Sequence, residues 1–175
     1  MRSKLLLFPA ALIATAPVCS PAWAEYYLTL EQAQNLLFPG ASFTPAFVTL
    51  GDSDREIITD DSQVTVWSRQ VKVWKVSTGG WFIVDQVLGR DDWISYAIAL
   101  DAHGVVVGIE ILECLEKYDQ ITLPAWRKQF VGKRHKKMDV AGIKSISGVT
   151  LSCDHVAEGV KRILSTYALV ISPAP

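Results

Sequence analysis

The chain has 175 residues, with 17 Lys and Arg against 18 Asp and Glu, a formal net charge of −1. That balance excludes the strong basic excess of a nucleic-acid binder. The length suits one domain able to bury a core, and no segment after the amino terminus is long and apolar enough to cross a membrane.

The chain opens with Arg2 and Lys4, continues through an apolar run from Leu5 to Ala14, and reaches Ala22-Trp23-Ala24. A positive start, a short apolar stretch and a small-x-small site make a secretory signal peptide, expected over residues 1–24. The domain is then expected over 25–175, in a periplasmic or otherwise exported protein. Cys114 and Cys153 remain outside the leader. An oxidising compartment allows a disulfide between them, and two buried small apolar side chains fit equally.

Thr29 with Gln32 three residues on makes a capping box. Leu30, Ala33, Leu36 and Leu37 supply one helical face, and Pro39-Gly40 stops it. The polar stretch from Ala41 to Ser62 reads as irregular or weakly strand-forming. Val64, Val66, Val71, Val73 and Val76 suggest two short extended runs. Three strands follow, Trp81 to Leu88, Trp93 to Leu100 and Val105 to Leu112, separated by short turns at Arg90-Asp91-Asp92 and Asp101-Ala102-His103-Gly104. Short turns make antiparallel pairing the default. The tryptophans on these runs, including Trp67, Trp74, Trp81 and Trp93, read as packing residues.

Beyond the strands, Pro124 to Val131 reads as a short helix with proline at its start. Lys133, Arg134, His135, Lys136 and Lys137 form a basic turn, read as a solvated loop or a steering patch for an acidic partner or membrane surface. From Asp154 the apolar spacing is helical through Val156, Val160, Ile163, Leu164 and Tyr167. The whole is a single α+β domain, an antiparallel sheet packed with a few helices.

Ser147-Gly148-Val149-Thr150-Leu151-Ser152 leads into that last helix. A helix start offers unpaired N–H groups and the positive end of the dipole, which suit a phosphate. Gly148 lets the backbone approach a ligand closely. Hydroxyls on Ser147, Thr150 and Ser152 can donate to phosphate oxygens, or one can carry a covalent bond. The plainer reading is that Ser152 or Asp154 caps the helix.

Ser145-Ile146-Ser147-Gly148-Val149-Thr150-Leu151-Ser152 resembles the A-I-S-G-A-T-x-S signature of the FMN-binding domain family. That family includes small secreted flavoproteins and the flavin subunits of Rnf and sodium-pumping NADH:quinone reductase complexes. The stretches 105–113 and 116–133 resemble the family's strand and the segment after it, so the likeness covers residues 93–166. The resemblance implies an FMN-binding-domain-like fold. It implies FMN joined by a phosphoester to Thr150, with Ser147, Gly148, Val149, Leu151 and Ser152 lining the phosphate. Two positions depart from the pattern. Lys144 stands where the family has an acid that the flavin transferase recognises, and Val149 replaces the usual alanine. A lysine at 144 can pair with phosphate charge.

Glu116 resembles an acid of the family loop near the flavin, and a solvated acid after a strand is the alternative. Tyr118 and Trp126 can stack on a flat ring, with a core position favoured for Trp126. The histidines, at 103, 135 and 155, have no recognised metal spacing, and no hydrolase arrangement is readable. The function so implied is electron transfer by a flavin carrier rather than a classical enzyme. Its partners would be redox proteins, a membrane reductase or cytochrome, met in transient association with a membrane complex, and the transferase that matures it. The alternative is a module that keeps the fold without flavin and serves ligand binding, regulation or docking.

Overall fold

The computed structural model describes residues 25–114 and 120–172; the expected signal peptide and Glu116 and Tyr118 lie outside the described residues. Among the described residues seven strands build one antiparallel sheet: β1 (Glu25–Tyr26), β2 (Phe43–Pro45), β3 (Val48–Thr49), β4 (Gln70–Val76), β5 (Trp81–Leu88), β6 (Trp93–Leu100) and β7 (Val106–Cys114). Among the described residues four α-helices accompany them: α1 (Leu30–Leu37), α2 (Asp52–Ser62), α3 (Pro124–Arg127) and α4 (Thr150–Thr166). The strand order is β1-β7-β6-β5-β4-β2, with β3 pairing on β4. β4 to β7 form the expected meander, because each turn is too short for a crossover. The fold is α+β.

Period-two alternation along the strands feeds two cores. Val73, Ile83, Tyr96, Ile98 and Ile111 face one side and pack under α4 with Val156, Val160, Ile163 and Leu164. Trp74, Phe82, Ala97 and Leu112 face the other and pack on Ala33 of α1. The α1 capping box is present: Gln32 N–H donates to Thr29 Oγ1 at 3.2 Å, and Thr29 N–H donates to Gln32 Oε1 at 2.8 Å. α4 comes close to the sheet because Gly159 has no side chain. A Cβ there would meet the Tyr96 hydroxyl at 2.4 Å and Val87 Cγ1 at 2.8 Å.

Several expectations are corrected. The polar stretch 41–62 holds β2, β3 and α2. α2 is stabilised by charge: Asp52 and Asp54 sit in its first turn, and Asp54 Oδ2 accepts the Gly51 N–H at 2.8 Å. Its single fully buried apolar residue, Ile58, joins Leu50 and Val66 in a small separate cluster. Val64 and Val66 lie in a loop, not a strand. Its carbonyl at Val66 accepts two bonds from Arg55, at 3.1 and 2.9 Å. Trp67 on that loop is 83 % exposed and Trp93 47 % exposed, so neither is a packing residue. Trp74 is buried as expected.

The basic turn is not wholly solvated. His135 Nε2 and Lys136 both bond Asp61 of α2, the histidine at 2.7 Å. Burial alone would raise the Asp61 carboxyl, but bonds from Lys136, Ser165 and His135 outweigh it and hold the group well below the usual carboxylate range. Cys114 and Cys153 are both buried in the main core, and no disulfide joins them to each other. Burial is also the main reason the Cys153 thiol is raised, which keeps it an inert core residue. No described helix is long and apolar enough to cross a membrane.

Candidate functional site

The last helix begins four residues earlier than the apolar spacing suggests, at Thr150. Its N-cap is Val149, and no side chain caps it, so neither Ser152 nor Asp154 performs the capping considered above. Cys153 N–H makes the bond back to Val149 O, at 3.0 Å. The N–H groups of the first helical residues have no carbonyl one turn earlier to receive them. No acidic residue occupies the first turn.

The residues before the helix divide into an anchored set and an open set. Val149 is buried in the main core and its N–H donates to Ile146 O at 3.1 Å. Ser152 is also buried, and its hydroxyl accepts the Arg90 N–H at 3.3 Å from the β5–β6 turn. Ser147, Gly148, Thr150 and Leu151 are exposed. Gly148 has φ +91°, and nothing lies within 4 Å of where its Cβ would be. Thr150 Oγ1 makes one long contact, 3.4 Å to Ile146 O. The open set therefore presents a hydroxyl, a glycine backbone and a helix start to solvent.

Two straps hold this segment in place. Gln129 bonds the Lys144 backbone in both directions, accepting its N–H at 2.9 Å and donating to its carbonyl at 3.2 Å. Lys144 is thus held by its main chain, and its side chain is exposed. Ser145 Oγ donates to Asp154 Oδ1 at 2.7 Å. The segment carrying Gln129 is pinned to β7 by Arg127, which pairs with Glu110 and donates to Ile109 O at 2.8 Å and Thr122 O at 3.1 Å. Trp126 is buried against Phe130, ring centroids 5.2 Å apart, which is the core position favoured for it.

Sequence reasoning missed the β5–β6 turn as a neighbour of this helix start. Besides Arg90 to Ser152, His155 Nδ1 lies 2.6 Å from Leu88 O and 3.3 Å from Gly89 O. These contacts join residues more than 60 positions apart, so no local pattern announces them. Beyond His155 a cleft of about 710 Å³ opens between α4, β4, β5 and the 63–68 loop. Its wall carries Arg162, which donates to Asp85 Oδ2 at 2.5 Å while the buried Tyr96 hydroxyl donates to the same oxygen at 2.8 Å.

The model of the FMN-binding domain matches residues 89–165, a segment that runs from the β5–β6 turn through nearly all of α4. No curated protein matches the chain.

Proposed function

Because the model of the FMN-binding domain matches residues 89–165, we propose that this protein binds flavin and is an exported electron carrier with FMN esterified to Thr150. The observation that carries the reading is the uncapped start of α4, with an exposed Thr150 hydroxyl beside the open Gly148. The residues fit the group. The Thr150 oxygen becomes the ester oxygen, and the helix start and the Ser147 hydroxyl meet the remaining phosphate charge. Val149 serves from the core side by fixing the turn, and Leu151 covers the outer edge. Ser152 acts through the β5–β6 turn, since its hydroxyl already accepts a bond there. Lys144 adds a positive side chain near the segment without a structural duty of its own.

FMN, when bound, takes up and releases one or two electrons; the protein supplies position and exposure. A tether of this kind suits a periplasmic site, where a diffusible cofactor would be lost. Donor and acceptor are other redox proteins, such as a membrane reductase or a cytochrome, met through small transient surfaces. A flavin transferase would make the ester.

The test is the intact mass and visible spectrum of the protein exported from its own host. A mass raised by one FMN less one water, with yellow absorbance that survives denaturation and maps to the Thr150 peptide, is the expected result. Flavin released on denaturation would keep the binding site and remove the ester. A colourless protein that also fails to take up supplied FMN would turn the reading to a flavin-free ligand-binding or docking module.

A further inference from the structure

The cleft beside α4 has a composition that selects a ligand class. Its charged lining residues are Lys72, Asp85, Glu158 and Arg162, which sum to zero. Arg162 is already engaged by Asp85, which leaves Lys72 and Glu158, one charge of each sign. The cleft therefore has no net charge to offer an ionic ligand, and a neutral one is favoured. Trp67, Leu88 and Trp93 line the same cleft and are 83 %, 51 % and 47 % exposed. Three large apolar side chains left in water around one concavity suit a flat apolar body. The volume lies in the range of small-molecule sites.

One group in the cleft gives direction to such a ligand. Leu88 O can only accept, so His155 Nδ1 carries the hydrogen at 2.6 Å. In the neutral ring that leaves Nε2 as a bare acceptor, and no described residue bonds it. It would take a hydrogen from a hydroxyl. We propose that this cleft is a binding site for a neutral planar phenol, its ring against the tryptophan rim and its hydroxyl donating to His155 Nε2. The inference stands on the cleft itself and holds whether or not Thr150 carries a flavin.

Calorimetric titration of the exported full-length protein with 1-naphthol, and separately with 1-methoxynaphthalene, tests it. The two share a flat ring system, and only the first can donate. One-site binding of 1-naphthol is expected, about tenfold tighter than the ether, the difference being one hydrogen bond. His155→Asn keeps a donor for Leu88 O and loses Nε2, so it should bring 1-naphthol down to the affinity of the ether. Absence of 1-naphthol binding, or equal affinity for both compounds, overturns the proposal. So does competitive displacement of 1-naphthol by riboflavin, which would give the cleft to the flavin ring. The comparison of the two compounds needs no variant and decides the matter even if His155→Asn folds poorly.

Discussion

Gly159 of α4 lies so close to Tyr96 of β6 that a methyl group on it would stand 2.4 Å from the tyrosine hydroxyl. That hydroxyl is not free to retreat. It is fully buried and donates to Asp85, which also holds Arg162. Burial, with Asp85 beside it, pushes the Tyr96 phenol well above its ordinary value, so it remains a donor. Alanine is a better helix former than glycine by about 1 kcal/mol, and on propensity alone Gly159→Ala would stabilise. Overpacking costs about 1–3 kcal/mol, and here it also disturbs a buried polar network. We expect the steric cost to win, by about 2 kcal/mol. Thermal unfolding should show a Tm lower by about 4–8 °C.

Asp61 gives a pH dependence with a defined sign. Its carboxyl is held below the unfolded value, so its contribution is present above about pH 4 and is lost as pH falls toward the folded value. Asp61→Asn should therefore be less stable than the parent at pH 6–7 and converge with it as the solution is acidified below about pH 4. Urea titrations across that range check this. A gap that stays constant down to acid would mean that the carboxylate charge does not stabilise the basic turn.

Thr150→Ala separates the flavin from the fold. The hydroxyl is exposed and makes only a 3.4 Å contact, so stability should change by under about 0.5 kcal/mol. Covalent flavin should vanish from the intact mass. Retention of covalent flavin in this variant would move the ester to another residue.

Position 144 and its clamp should respond in opposite ways. Lys144→Asp changes only an exposed side chain, so unfolding should shift by under about 0.5 kcal/mol, while the fraction of protein carrying FMN should rise. Gln129→Ala removes both bonds to the Lys144 backbone. It should cost about 1–2 kcal/mol and lower that fraction, because the segment before Thr150 loses its hold. Intact-mass ratios and denaturant midpoints for the two variants read both effects.

The strands of the meander were legible because their alternation and short turns act locally. Trp81 to Leu88 and Trp93 to Leu100 appear with the bounds their residues suggest. α1 was legible for the same reason, through Thr29 and Gln32. α2 was not, because Asp52, Asp54, Asp60 and Asp61 hide a helix whose support is charge and capping rather than an apolar stripe. The start of α4 was blurred because Val149 caps with backbone alone. At the site, Thr150 and Gly148 could be singled out from a short motif. Arg90 and Gln129 could not, since each reaches the helix start through a contact that only the folded chain creates.

β1 is two residues long, yet it finishes the sheet: Glu25 pairs with Cys114 and Tyr26 with Glu113, the last residues of β7. Without it, the end of β7 would be an open edge, and open edges recruit strands from other molecules. If export removes residues 1–24, the new amino terminus coincides with the first residue of that cover. A cut two residues further in would take the cover away. In that case the position of the cut would also set the protein's tendency to self-associate.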